Sequence, residues 1–251
     1  MAEKKFILLV LCVLFMNSML FAKQQVTIYG DDSYPPYSYK ENNQAKGIYV
    51  DILKLAFSKM ENYEIIIKMI PWKRGLKYIK QGEAFALFPP YHDKDRLLWM
   101  IFSEPILKEE IIVFGKDVNL KGKTKWPDDF YGYTIGMNRG FTPYGVGGAA
   151  FGDAYTAGKI KIEEANTTEQ NLKKLVRDRF LFYIYDKLLD IGPYPSIKRG
   201  IVINTNDGHL GFTKKNVNYM FMSDFKDTFN QIIKNLKNSN EIHEIIEKYL
   251  K

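Results

Sequence analysis

Stretches with the apolar spacing of strands alternate with stretches that have the spacing of helices along the first part of the chain. Residues 25–29, 63–70 and 84–88 predict strands, and residues 50–60 and 71–80 between them predict helices. This order predicts a βαβαβ unit, in which helices cover a parallel sheet.

A second α/β series follows a strand at 111–114 and a polar stretch at 116–129. Its predicted elements are strands at 133–137, 159–163 and 180–185, a helix at 168–179 capped by Thr167 or Thr168, and short strands at 201–204 and 210–213. The glycine-rich stretch 145–152 lacks the dinucleotide-binding spacing and predicts a flexible loop. Apolar residues at helical spacing from 225 to 250 predict terminal helices with a core-facing stripe.

The first 22 residues have the layout of a secretory signal peptide. Lys4 and Lys5 precede an apolar run at 6–16, and Ala22 is a small residue at a plausible cleavage point. The run is shorter than the roughly 20 residues that a membrane-spanning helix needs. We therefore expect a periplasmic protein. The single cysteine, Cys12, would leave with the peptide, so no disulfide is expected in the mature chain.

Composition and spacing argue against several classes of chemistry. The mature chain of 229 residues keeps 34 basic and 28 acidic residues, and no basic block interleaved with aromatics predicts a nucleic-acid groove. His92, His209 and His243 are far apart in the sequence, so neither a metal site nor a cofactor is expected. Glu109 and Glu110 are adjacent and are expected to be solvated.

Several short motifs then occur in a recognisable order. The stretch 31–39, Asp-Asp-Ser-Tyr-Pro-Pro-Tyr-Ser-Tyr, is followed by Gly-Ile-Tyr-Val-Asp-Ile at 47–52. Pro-Trp-Lys-Arg at 71–74 heads a helix, and Arg96 stands seven residues before Ser-Glu-Pro at 103–105. Further along come the segment Gly136 to Thr142 and then Asp186, which ends the predicted strand at 180–185. In order and spacing, this set resembles the extracellular solute-binding proteins of family 3, the polar-amino-acid receptors of ABC importers, over nearly the whole mature chain.

The resemblance implies an α/β protein with a two-lobed, type II periplasmic-binding-protein fold. Lobe 1 would comprise residues 23–114 and 206–251, and lobe 2 residues 115–205. Two crossings, near Phe114 and Thr205, would form a hinge, and closure would bury the ligand between the lobes.

Eight residues are implied to bind the ligand. They are Tyr34, Tyr37, Trp72, Tyr91, Arg96, Phe141, Thr142 and Asp186. The planar guanidinium of Arg96 can bind a carboxylate with two hydrogen bonds, and Asp186 matches the aspartate that holds the ligand's ammonium. Tyr91 and Phe141 replace small hydroxyl residues of the family, as does Pro89, so an unusual or even non-amino-acid ligand stays open.

Other interpretations of the same residues are structural. Arg96 could form a surface ion pair with Asp93 or Asp95, and Asp186 could cap the following helix. The aromatic residues, Trp72 above all, could fill the core.

The expected function is capture of a small polar, zwitterionic ligand for a membrane permease or sensor, by a monomer that is not an enzyme. Two alternatives belong to other classes: a sensor module without a transport role, and an enzyme such as a dehydratase on the same fold.

Overall fold

The structure is a computed structural model, and it describes residues 23–215 and 219–250. The predicted signal peptide lies outside the described residues. The strands are β1 (Gln24–Asp31), β2 (Ser33–Tyr34), β3 (Ser38–Glu41), β4 (Gln44–Lys46), β5 (Tyr63–Ile70), β6 (Ala86–Phe88), β7 (Met100–Phe102), β8 (Leu107–Lys116), β9 (Thr134–Asn138), β10 (Lys161–Ala165), β11 (Phe182–Asp186), β12 (Ile197–Gly208) and β13 (Gly211–Thr213). The helices are α1 (Ile48–Ser58), α2 (Trp72–Gln81), α3 (Asp117–Leu120), α4 (Pro143–Thr156), α5 (Thr168–Val176), α6 (Met222–Asn238) and α7 (Glu241–Tyr249).

The first lobe is built on a five-stranded sheet with the order β5-β1-β6-β13-β7. β1 pairs in parallel with β5 and β6, and α1 and α2 are the crossover helices, which confirms the predicted βαβαβ unit. β13 then joins antiparallel to both β6 and β7. A small antiparallel sheet, β2-β3-β4, follows β1 and was not predicted.

The second lobe is built on a five-stranded sheet with the order β10-β9-β11-β8-β12. Its two longest strands, β8 and β12, pair antiparallel with each other. The chain passes from the first sheet to the second between Phe102 and Leu107, and returns between Gly208 and Gly211. The positions at which the crossings were expected, near Phe114 and Thr205, lie inside β8 and β12 of the second sheet.

The C-terminal helices return to the first lobe. Phe225, Phe229 and Ile233 are fully buried along one side of α6, and α7 packs against both α1 and α6. The predicted core-facing stripe is therefore confirmed. Because β1 also lies in the first lobe, both ends of the described chain belong to that lobe.

Two expectations from the sequence are wrong. Residues 143–156 form α4 rather than a flexible loop, with a kink at Gly148, whose φ is 81°. Close packing requires glycine in this helix, since a Cβ at Gly147 would lie 2.1 Å from the ring of Phe151. Glu109, expected to be solvated, is buried. His92 and His209, although distant in the sequence, stack their rings with centroids 4.4 Å apart.

Within residues 23–215 and 219–250, no group of three or more His, Cys, Asp or Glu side chains could hold a metal ion. In the same part of the chain, no helix has both the length and the apolar character to cross a membrane.

Candidate functional site

A small cavity lies between the two lobes, where the loops after β1 and β6 meet the start of α4. Its volume is about 10 Å³, which is room for about one water molecule. Six of the eight implied ligand-binding residues line it, namely Tyr34, Trp72, Tyr91, Arg96, Phe141 and Thr142. Beside Arg96, the cleft is thus filled by its own side chains.

Arg96 supplies the positive charge of the cavity. It begins a short 3₁₀ helix, is only 5 % exposed, and donates from Nη1 to the backbone oxygen of Tyr91 at 3.2 Å. Its guanidinium lies 5.6 Å from the ring centroid of Trp72. Burial lowers the pKa of Arg96, and the nearby Asp93 partly offsets this.

No ion pair of Arg96 is found among the described residues. Arg96 therefore does not form the surface ion pair with Asp93 or Asp95 that its sequence context also allowed. A buried guanidinium without an ion-pair partner is costly, and an anion in the cavity would relieve that cost.

Thr142 and Phe141 form the wall from the second lobe. Thr142 is the N-cap of α4, where its hydroxyl oxygen accepts from the N–H of Gly145 at 3.0 Å. The same hydroxyl donates to Oδ2 of Asp93 at 2.6 Å. Phe141 packs its ring edge-to-face against Tyr34, with centroids 5.8 Å apart.

Asp186 and Tyr37 do not line the cavity. Tyr37 stacks on Tyr34 with centroids 5.2 Å apart, and Asp186 ends β11 with no exposed surface. Oδ1 of Asp186 accepts from the N–H of Leu188 at 2.7 Å in a turn. The element after β11 is the strand β12, so Asp186 does not cap a following helix. Oδ2 has no hydrogen-bond partner among the described residues. Burial raises the pKa of Asp186 to about 7.

Glu109, expected from the sequence to be solvated, is instead bonded to two residues of the cavity wall, Tyr34 and Tyr91. It is 1 % exposed, and its carboxylate accepts hydrogen bonds from the hydroxyls of Tyr34, Tyr49 and Tyr91. Burial raises the pKa of Glu109 to about 8, repulsion from Asp186 adds to this, and the three hydroxyls partly offset it.

The alternation of side chains along β8 could have indicated that Glu109 is buried. In β8, Glu109 shares a face with Leu107 and Ile111, both apolar and both buried, whereas Glu110 points to the other face and pairs with Lys187 near the surface. Alternation along the strand thus distinguishes the two adjacent glutamates.

Asp31 is a further acidic group in the cavity wall. It is the last residue of β1, is buried, and accepts from the N–H of Ser33 through Oδ1 at 3.0 Å. Burial raises the pKa of Asp31 to about 7. The site therefore combines one buried guanidinium with three buried carboxyl groups, separated by aromatic rings.

Comparisons with known proteins concern the chain as a whole. Residues 26–251 match the sequence model of the bacterial extracellular solute-binding proteins, family 3. No curated protein matches the chain.

Solved structures share the two-lobed fold at low sequence identity. The arginine-, lysine-, histidine-binding protein ArtJ from Geobacillus stearothermophilus is 20% identical, with a TM-score of 0.72 over 90% of this chain and 95% of that one. A histidine kinase sensor domain similar to periplasmic binding proteins is 14% identical, with a TM-score of 0.74 over 91% and 96%. An ancestral amino-acid-binding protein, a precursor of cyclohexadienyl dehydratase, is 17% identical, with a TM-score of 0.72 over 90% and 96%. These likenesses identify the type II periplasmic-binding-protein fold, and one such fold hosts several functions.

Proposed function

Because the chain belongs to the bacterial extracellular solute-binding proteins, family 3, we propose that it captures a small zwitterionic, amino-acid-like ligand in the periplasm. It then presents its closed form to an ABC-type importer. Arg96 binds the ligand's carboxylate, Asp186 binds its ammonium, and the aromatic side chains of Tyr34 and Trp72 enclose its body.

The observation that carries this proposal is the pair of buried, incompletely satisfied charged groups. Arg96 has no ion-pair partner, and Oδ2 of Asp186 accepts no hydrogen bond, among the described residues. Buried ions of opposite sign that are not paired with each other are costly to the protein alone. A zwitterion would supply an opposite charge to each of them.

Ligand binding beside Arg96 requires the lobes to separate, because the cavity there, of about 10 Å³, cannot hold an amino acid. The two chain passages, between Phe102 and Leu107 and between Gly208 and Gly211, are the proposed hinge. Opening would move Tyr34 and Tyr37 of the first lobe away from Phe141 and Asp186 of the second, which would give a ligand access to Asp186.

The proposal is tested with Arg96→Ala and Asp186→Ala, using a panel of the common L-amino acids and any solute that co-purifies. Removing either side chain would leave the opposite group of the ligand buried and unpaired, at a cost of about 3–5 kcal/mol. We expect the affinity measured by calorimetry to fall roughly a hundredfold to a few thousandfold. The exposed residues Arg177 and Asp190 provide control variants, Arg177→Ala and Asp190→Ala, which should bind like the wild type.

Binding within about threefold of wild type in both cleft variants would contradict the zwitterion assignment. Mass spectrometry of the solute before and after incubation separates a receptor from an enzyme. The raised pKa values of Glu109 and Asp186 are the feature that favours the enzyme alternative, since perturbed carboxyl groups in a cleft are common in active sites. A solute recovered unchanged supports the receptor, and a converted one supports the enzyme.

A further inference from the structure

Asp93 is a carboxylate of the first lobe that bonds across the cleft. It lies in the loop between β6 and Arg96, and its Oδ2 accepts from the hydroxyl of Thr142 in the second lobe at 2.6 Å. Its Oδ1 accepts from the N–H of Asp95 at 2.9 Å. Both oxygens are therefore engaged, and one of the two bonds joins the lobes.

Apart from the hydrogen bonds that Tyr34, Tyr49 and Tyr91 donate to Glu109 near the start of β8, the other interlobe side-chain bonds away from the hinge are longer. The hydroxyl of Thr168 donates to the backbone oxygen of Ser33 at 3.3 Å, and the hydroxyl of Tyr185 donates to that of Pro35 at 3.3 Å. Neither involves a charged group. Hydrogen bonds to a charged acceptor are roughly twice as strong as neutral ones, so Asp93 makes the strongest of these contacts.

The Thr142 hydroxyl can serve only one carboxylate at a time. A hydroxyl has a single proton to donate, and here it is given to Asp93. Thr142 and Arg96 line the same cavity, and the negative charge of Asp93 is close enough to Arg96 to raise its pKa. A second carboxylate entering beside Arg96 would meet an occupied donor and a like charge.

We propose that Asp93 accepts the hydrogen bond of the Thr142 hydroxyl when no ligand is bound, and that a ligand's carboxylate binding beside Arg96 must displace Asp93 from that hydroxyl. Asp93 thereby holds the empty cleft closed and weakens the binding of every carboxylate ligand. Only ligands whose remaining contacts compensate for this displacement bind well. The specificity part rests on the proposed function, whereas the closure part needs no ligand.

Closure is tested first, on the ligand-free protein, by a distance measurement between two spin labels. Cys12 is the single cysteine, so in a Cys12→Ser background cysteines placed at exposed Lys77 on α2 and Glu169 on α5 can be labelled without competition. We expect Asp93→Ala to shift the distance distribution to longer values. The control Asp95→Ala, which removes an equal charge from the same loop, should leave it as in the wild type. An unchanged distribution in Asp93→Ala would overturn the closure.

Specificity is tested by calorimetry with the L-amino acids and their carboxamides. The Asp93→Ala variant should bind the best amino acid about tenfold more tightly than the wild type, because the Thr142 hydroxyl becomes available and a like charge is lost. The matching carboxamide, which has no anion, should change by less than threefold. Equal or weaker binding of the amino acid by Asp93→Ala would overturn the displacement.

The two proposals fail in different ways. If Arg96→Ala binds like the wild type, the zwitterion assignment fails, while the label distances still decide whether Asp93 closes the cleft. If Arg96→Ala loses binding but Asp93→Ala gains none, the proposed function stands and the competition by Asp93 is refuted.

Discussion

Replacing Glu109 by glutamine should change how the stability of the protein depends on pH. The side chain is 1 % exposed, so solvent screening is negligible, and burial raises its pKa from 4.5 to about 8. Between these values the folded protein holds a proton on Glu109 that the unfolded chain has released. The free energy of unfolding contributed by this group therefore falls as pH rises, and the loss is complete above about pH 8.

The magnitude follows from the size of the pH interval. Each pH unit in this range contributes about 1.4 kcal/mol, so raising the pH from about 5.5 to about 8 would lower the stability by up to about 3 kcal/mol. For a chain of this size, that is a fall in Tm of roughly 6–12 °C. Glu109→Gln keeps the shape and, like the protonated acid, has one accepting oxygen and one donating group. It has no proton to lose over this interval, so its Tm should fall less as the pH rises.

The assay is thermal unfolding of both proteins across this pH range, followed by circular dichroism. Asp31 and Asp186 also have raised pKa values, but they are present in both proteins, so the difference isolates Glu109 and its repulsion of Asp186. Glu110→Gln is the matched control, because Glu110 lies near the surface beside Lys187. If Tm fell by the same amount with rising pH in the wild type and in Glu109→Gln, the conclusion that Glu109 is protonated in the folded protein would be refuted.

Two further predictions concern the hinge and the N-terminus. Gly208→Ala would place a Cβ 1.7 Å from the hydroxyl of Tyr49 and 2.8 Å from Oε1 of Glu109, so we expect a loss of about 1–3 kcal/mol of stability in denaturant unfolding. Gly192→Ala, which meets only the side chain of Asp190, is its control, and equal stability of the two variants would contradict the packing argument. The exported protein should begin at or near Lys23, and an intact mass that includes Met1 would exclude cleavage of the predicted signal peptide.

The sequence alone determined the local elements and their order. Periodicity placed β1, α1, β5 and α2 close to their observed bounds, because alternation and helical spacing record which side of each element faces the core. The capping chemistry of Thr167 was likewise local, and its hydroxyl accepts from the N–H of Gln170.

Tertiary structure decided which charged groups meet. The hydroxyl of Tyr34 reaches Glu109 across 75 positions of sequence, and Thr142 reaches Asp93 across 49. Such contacts depend on how two sheets and their loops pack together, and local propensity carries no record of that packing. Propensity also misplaced the glycine-rich stretch at 145–152, where close packing within the second lobe outweighs the helical cost of glycine. The position of Glu109 on a buried face of β8 could be predicted from the alternation of the strand. Its three tyrosine partners come from distant parts of the chain, so only the tertiary structure shows them.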